Sequence, residues 1–326
     1  MLSNRLAKQG GRRIREDVLE RDYCLAWFLA ALEESDLRTR LALKGGTALK
    51  RCYFGDYRFS EDLDFTLLEA IPCDDILHGL ERVYEGVREG SGIVFAFKRE
   101  DRQEHANSYT FYLGYTGPLP VGNDVKVDIT VQERLVFPLE QRPLLRGYDE
   151  FTDLPADRLV QAYSLEEIVT EKTIALADPA RNEPRDLYDL WYLTAKEGIE
   201  LDHLADPIRQ KLEFRERPFV DLQDAILGKE ARLKALWSRR LAYQMSTRRH
   251  SMKSSAGCAE PFAGPSSPKL VRADLSADWL SPGKRSAVFL PHIPSATVSP
   301  STSFSTTGPA GSLRRHKIPW IAPCVC

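Results

Sequence analysis

The sequence predicts an α+β fold, a mixed sheet with helices, followed by a helical domain and a disordered tail. Three observations predict it. Strand-like segments crowd the first 150 of 326 residues, capped helical patterns follow from Ser164, and the composition turns to Pro, Ser and Thr near residue 245. Strands first and helices after is the order of α+β proteins, not of alternating βαβ units. The expected units are therefore an α/β domain over 1–150 with an N-terminal helix, a helical domain over 151–245, and a Pro/Ser-rich disordered tail over 246–326.

Along the chain, residues 13–34 read as an amphipathic helix, because Ile14, Val18, Leu25, Phe28, Leu29 and Leu32 recur at helical spacing. LALKGG is a short strand running into a Gly-Gly turn, and TALKRCYF resumes a helical pattern. DLDFTLL reads as a strand and 74–89 as a helix, with three further strands in IVFAFKR, SYTFYLGY and DVKVDITV. Ser164 with Glu167 three residues on forms a capping box that starts a helix to about Ala177. A second helix opens near Pro184, favoured in a first turn, and stops before Gly198. Helices over 202–213 and 219–243 close the folded part. Beyond it, ten of the twenty prolines fall between Pro261 and Pro323, where no periodic apolar face exists to offset the entropy of ordering.

Composition narrows the function classes. At 43% hydrophobic and 28% charged the chain is an ordinary globular protein. Its net charge of −2 hides an asymmetry: ten Lys/Arg against three Asp/Glu from Ser246 onward, +7, leave residues 1–245 at −9. That acidic body suits metal binding and equally an ordinary acidic protein. Six cysteines form no CxxC pair, and the histidines (His78, His105, His203, His250, His292, His316) form no HExxH, so a zinc site has no support. No G-x-S-x-G elbow or Walker A loop occurs. MLSNRLAKQGGRRIRED lacks the apolar run of a signal peptide, and no stretch of about 18 apolar residues would span a bilayer. A cytoplasmic protein with reduced thiols and no membrane partner is expected.

The segment richest in chemistry is KGGTALKRCYFGDYRFSEDLDF, Lys44 to Phe65. Asp62 and Asp64 stand two apart at a strand start, so both side chains leave one face. Two carboxylates about 4 Å apart repel by about 4 kcal/mol at an effective dielectric of 20, a cost that a divalent cation removes. Mg²⁺ uses one or two carboxylates and completes its octahedron with phosphate oxygens and water. A lone D-x-D is more often a pair of solvated loop acids. Upstream, however, Gly45 and Gly46 leave the backbone bare, and Thr47 can open a helix whose free N–H groups face an anion. Asp128 shares the polar face of VKVDIT with Asp124 and Lys126, opposite Val125 and Val127. On an edge strand that face would merely be wet; joined to the D-x-D, three strand-borne carboxylates fit two-metal phosphoryl transfer. Lys172 lies on an apolar-leaning helix face, where either an anionic partner or snorkelling explains it. Asp186 and Asp189 meet on one side of the next helix, where Asp186 also complements the helix dipole or pairs with Arg181 or Arg185.

A GG turn, D-x-D and a later single Asp together resemble the polymerase-β-like nucleotidyltransferase superfamily. LKGGTAL followed by RFSEDLDF, with EEIVTEKTIAL and RNEPRDLYDL downstream, is similar to the AbiEii/AbiGii toxin family over about residues 20–240, and nothing after about 245 adds to the likeness. The resemblance implies a polymerase-β-like fold and a Mg²⁺-dependent transfer of a nucleoside monophosphate from an NTP, with Asp62, Asp64 and Asp128 holding two metals. It assigns Gly45, Gly46 and Thr47 to the phosphate turn, and Arg58 and Ser60 to support of the triphosphate or the carboxylates. Lys172 would contact nucleotide phosphate, with Asp186 and its neighbour Asp189 completing the site. It further implies a toxin–antitoxin or abortive-infection toxin acting on RNA, the tRNA 3′ end foremost, with an antitoxin that regulates transcription. Lys229, Arg232, Lys234, Arg239 and Arg240, with Arg215 and Arg217, offer either an RNA surface or a solvated helix face. Two other readings remain: an antibiotic-type enzyme with a small-molecule acceptor, and a nucleotide-binding regulator with a vestigial site.

Overall fold

The computed structural model describes residues 2–8, 13–101, 107–155, 157–218 and 222–245. The expected disordered tail, 246–326, lies outside the described residues. After a short helix α1 (Leu2–Lys8), the expected N-terminal helix is α2 (Glu16–Leu32). From Cys24 to Leu32 every residue of α2 is buried, which makes its second half a core helix instead of a one-faced amphipathic one. Strand β1 (Leu41–Lys44) runs into α3 (Gly45–Ala48), which continues as a π-helical stretch, Leu49–Tyr53. Then come β2 (Leu63–Leu67), α4 (Cys73–Ser91), β3 (Val94–Glu100), β4 (Ser108–Thr116) and β5 (Asn123–Thr130), all at the positions their patterns predict.

Two further strands, β6 (Leu139–Pro143) and β7 (Leu159–Tyr163), were not expected. They carry the sheet past the anticipated boundary at residue 150. The seven strands lie in the order β3-β4-β5-β2-β1-β7-β6, with β2–β5 and β1–β7 parallel and the remaining pairs antiparallel. Val125, Val127 and Ile129 are buried while Asp124, Lys126 and Asp128 between them are half-buried, so the alternation read in the sequence sets which face carries the acids. Phe28 of α2 and Tyr84 of α4 both pack on Phe95 of β3, at 5.4 and 6.4 Å between ring centroids.

The helical half begins with α5 (Leu165–Ala177) and α6 (Pro184–Trp191), and continues with α7 (Ala205–Phe214), α8 (Leu222–Leu227) and α9 (Glu230–Arg240). Ser164 caps α5 by accepting from Glu167 N–H at 3.2 Å. The other half of the capping box does not form. The Glu167 carboxylate instead accepts from Val136 and Phe137 N–H and lies 2.6 Å from Lys211 Nζ. Lys211, fully buried, also meets Glu133 and Glu171, to which Arg215 adds a second cation. Burial opposes the charge of Lys211, but Glu171 and then Glu133 outweigh it and raise its pKa. This network ties α5 and α7 to the segment after β5. Buried ion groups of this kind contribute little net stability when complete and cost several kcal/mol when broken.

The helix expected over 219–243 is instead two, because the chain breaks at Gly228–Lys229. Lys229 turns inward there, and its amine donates to the carbonyls of Leu176 at 2.7 Å, Arg181 at 2.8 Å, and Asp178. It thereby supplies a donor to the C-terminal end of α5, where helix carbonyls lack intrahelical partners. Burial lowers its pKa. Lys229→Met is expected to leave these carbonyls unpaired and cost about 2–3 kcal/mol in urea unfolding. A loss below about 0.5 kcal/mol would remove this capping role.

Candidate active site

The register of the sheet places four polar side chains in one row. Lys44 of β1 pairs with Asp64 of β2, Asp64 with Asp128 of β5, and Asp128 with Thr110 of β4. Cross-strand partners share a face, so the row presents Lys44, Asp64, Asp128 and Thr110 together. Asp62 stands just before β2, its carboxylate 34% exposed and 3.7 Å from Arg185 Nη1 of α6. Asp128 Oδ1 accepts from the Thr110 hydroxyl at 2.6 Å and its Oδ2 from Lys126 Nζ at 2.7 Å. Lys44 Nζ donates to Thr130 Oγ1 at 2.7 Å, and burial lowers its pKa.

Two of the carboxylates, Asp62 and Asp64, are held above the usual carboxylate range. Burial, then the Asp64 charge, push the Asp62 carboxyl up to about 6. Burial and then Asp128 raise Asp64, against the pull of Lys44 and Lys172. An all-oxygen carboxylate set under mutual repulsion is what a hard divalent cation relieves, so these residues fit Mg²⁺. They are not drawn around a single point: among the described residues no three acidic, His or Cys side chains converge on a metal position. The reason is visible in the partners, since Arg185 holds Asp62 while Thr110 and Lys126 hold Asp128. Mg²⁺ needs only one or two protein carboxylates, the remaining ligands being phosphate and water.

The GG turn is built against these acids. Gly45 has φ +70°, and a Cβ there would sit 2.6 Å from Asp64 Oδ2. At Gly46 a Cβ would meet Arg58 Nη2 at 2.7 Å and Ser60 Oγ at 2.9 Å. Each glycine is thus required by a different predicted site residue. Thr47 does not open the helix, which starts two residues earlier at Gly45; its hydroxyl donates to the Asp62 carbonyl at 2.5 Å and clamps the turn to the D-x-D. Gly46→Ala is expected to displace Arg58 and lower stability by about 1–3 kcal/mol, read as a drop in thermal midpoint. An unchanged midpoint would mean that the turn has slack the structure does not show.

Arg58 and Asp189 are brought together, but away from solvent. The guanidinium makes a bidentate pair with the Asp189 carboxylate, both contacts 2.6 Å, with side chains 2% and 0% exposed. Tyr57 adds a hydrogen bond to Asp189 at 2.8 Å. Lys172 Nζ bridges Asp186 at 2.6 Å and Asp189 at 2.9 Å. Burial works against the Lys172 charge, but Asp186 and then Asp189 outweigh it and raise its pKa. Burial would likewise raise Asp186, yet Lys172 and then Arg181 hold it well below the usual carboxylate range. Arg181, its side chain half exposed, donates to Asp186 from Nε at 2.6 Å.

The chain from residue 27 to residue 262 matches the family model described as nucleotidyl transferase AbiEii toxin, type IV TA system. The chain belongs to the AbiEii family. The match runs past residue 245 into the Pro/Ser-rich stretch, further than the likeness read from the motifs, which ended near 240. AbiEii proteins are nucleotidyltransferase toxins of type IV toxin–antitoxin systems, and the α+β architecture expected from the sequence is the one found here. Among solved structures the chain is similar to MenT4, a nucleotidyltransferase toxin from Mycobacterium tuberculosis H37Rv, at 19% identity over 69% of this chain and 68% of that chain, with a TM-score of 0.40. No curated protein matches the chain. Among the described residues no helix is long and apolar enough to cross a membrane.

Within this AbiEii chain, sequence reasoning undervalued Arg181, Arg185, Lys44 and Thr110. A signal existed for the two arginines: RNEPRD puts cations before and inside the first turn of α6, where the helix dipole disfavours them. Such placement needs an anion. Four of the seven cations read as an RNA surface have partners within the chain. Lys229 caps α5, Arg215 joins the buried network, Arg217 pairs with Asp178 and Arg240 with Glu183. Arg232, Lys234 and Arg239 are exposed on α9.

Proposed function

We propose that the chain transfers a nucleoside monophosphate from an NTP to the 3′ end of an RNA, with tRNA the leading acceptor, in a Mg²⁺-dependent reaction that releases pyrophosphate. The observation that carries this reading is the Lys44–Asp64–Asp128–Thr110 row joined to Asp62, with Lys172, Arg181 and Arg185 arriving from α5, the loop after it, and α6. Asp62, Asp64 and Asp128 would hold the metals, two in number. Bound Mg²⁺ would supply the positive charge that offsets the charge gathering on the transferred group and the departing pyrophosphate.

The side chains divide the remaining work. Gly45 and Gly46 keep the turn bare so that backbone N–H groups approach phosphate, while Thr47 clamps the turn to Asp62. Lys172 and Arg181 hold the β- and γ-phosphates, with Asp186 aiming both cations. Arg185 exchanges its long contact with Asp62 for phosphate. Asp128 orients the acceptor hydroxyl. Arg58, Ser60 and Asp189 are positioning residues that shape the turn from behind. Exposed Arg232, Lys234 and Arg239 support a contact with RNA. The cellular setting that fits is cytoplasmic, with a cognate antitoxin that also regulates transcription.

The test is incubation of purified protein with Mg²⁺, each labelled NTP in turn, and total tRNA. The expected result is label in RNA from the unaltered chain and none with Asp64→Asn. Label in a small molecule or a protein would overturn the RNA acceptor. Nucleotide binding with no transfer to any acceptor would overturn the enzyme reading in favour of a regulator.

A further inference from the structure

Beside the carboxylates lies a cavity of about 250 Å³ lined by Arg15, Asp17, Val18, Arg21, Glu61 and Tyr243. We propose that this cavity is a nucleobase pocket, which fixes a base while the sugar and phosphate attached to it reach Asp62 and Asp64. The proposal rests on the transferase reading and adds to it a place and a chemistry for one of the reacting nucleotides.

Position is the first argument. Glu61 immediately precedes Asp62, so the cavity wall and a candidate metal ligand are consecutive residues. Arg185 approaches Asp62 at 3.7 Å from α6, together with the other phosphate-binding candidates, whereas Arg21 approaches Glu61 at 3.6 Å from α2. The phosphate-binding candidates and the cavity thus meet at consecutive residues of one loop. The wall carrying Tyr243 is fixed to the same loop, because Phe59 N–H donates to the Gln244 carbonyl at 2.8 Å.

Size and chemistry narrow the occupant. At about 30 Å³ per water the space equals roughly eight waters, below the ~300–1,000 Å³ of pockets that enclose whole drug-sized ligands. One planar ring system fits; a whole nucleoside triphosphate does not. The lining has two cations and two anions, which cancel, so it is not built for phosphate. It offers guanidinium donors, carboxylate acceptors, an apolar side chain and an aromatic ring, the complement of a neutral heterocycle with donors and acceptors on its edge. Glu61 is held only loosely, by Tyr243 Oη at 3.3 Å and Arg21 at 3.6 Å, which leaves its oxygens able to take a shorter bond from a base amine. Arg15 and Asp17, by contrast, pair with each other at 2.5 and 2.9 Å on the exposed side of the lining.

The base comes either from the incoming NTP or from the terminal nucleotide of the acceptor, and binding separates the two. Full-length protein, Val18→Trp (which fills the space) and Tyr243→Ala (which removes the ring) are compared with Mg²⁺ for binding of each NTP and of inorganic tripolyphosphate, which has no base. If the NTP base is the occupant, both variants bind NTPs about tenfold more weakly and tripolyphosphate normally. If the acceptor base is the occupant, NTP binding is unchanged and the KM for RNA rises about tenfold. Equal weakening of NTP and tripolyphosphate overturns the pocket, as does unchanged binding and transfer in both variants. Failure of the unaltered chain to bind any nucleotide would instead bring down the transferase reading itself, and the pocket with it.

Discussion

Asp189→Ala is expected to lose about 3–5 kcal/mol of stability, more than any other single substitution considered above. Asp189 is fully buried and accepts from both arms of the Arg58 guanidinium, from Lys172 and from Tyr57. Removing it leaves Arg58 buried with no carboxylate, and half-strips Lys172. Charge burial without a partner is the costly case, whereas replacing both members by apolar groups of similar size is often neutral. Arg58→Met combined with Asp189→Leu is therefore expected to recover most of the loss in urea unfolding. At about 2–4 °C per kcal/mol for a chain of this size, the single variant should melt about 6–20 °C lower. A loss under 1 kcal/mol, or a double variant no better than the single, would mean that the pair does not hold the turn in place.

Asp64→Asn is expected to abolish transfer, about 10³-fold or more, and yet to make the metal-free protein more stable at pH 7.5. The sign follows from the direction of the shifts. Asp64 is raised, by burial and then by Asp128, and Asp62 is pushed up to about 6 by burial and then by Asp64. A carboxyl whose folded pKa exceeds its unfolded value favours folding below the unfolded value of about 4 and loses that advantage as pH rises through the folded one. Neutralising Asp64 removes one penalty directly and relieves Asp62 as well. The gain in melting temperature should accordingly be small near pH 4.5 and largest above about 6. Asp186, held low by Lys172 and Arg181, does not blur this window because its contribution is constant above about 4. Added Mg²⁺ should raise the midpoint of the unaltered chain more than that of the variant. A variant less stable than its parent at pH 7.5 without metal would contradict the picture of crowded, repelling carboxylates.

What the sequence made legible was whatever local pattern controls. The alternation of VKVDIT placed Asp128 on the right face, and the capping serine placed the start of α5. The D-x-D and the GG turn stood out as residue types that need a reason. Strands β6 and β7 did not, because LEQRP ends in proline, LVQAY has no clean alternation, and each depends on neighbours distant in sequence for its pairing. Long-range polar partnerships were equally hidden. Nothing local says that Arg58 will meet an aspartate 131 residues later, or that Glu167 will abandon its capping role for Lys211. Arg58, expected to support the triphosphate or the carboxylates, and Asp189, expected beside Asp186, are found paired with each other as a buried brace.

That brace bears on how the chain is made. Chains emerge from the ribosome N-terminus first and fold domain by domain. The carboxylates at positions 62, 64 and 128 are synthesised early, but Lys172, Arg181 and Asp189 come later, and Gln244, which receives the Phe59 amide, later still. Until Asp189 is made, Arg58 lacks the carboxylate it pairs with, and the turn lacks its brace. A nascent or truncated chain ending before Lys172 would carry the acids without the cations or the brace. For a nucleotidyltransferase toxin, the residues made after the acids act as a delay: the candidate site is assembled only once the chain has grown past Gln244.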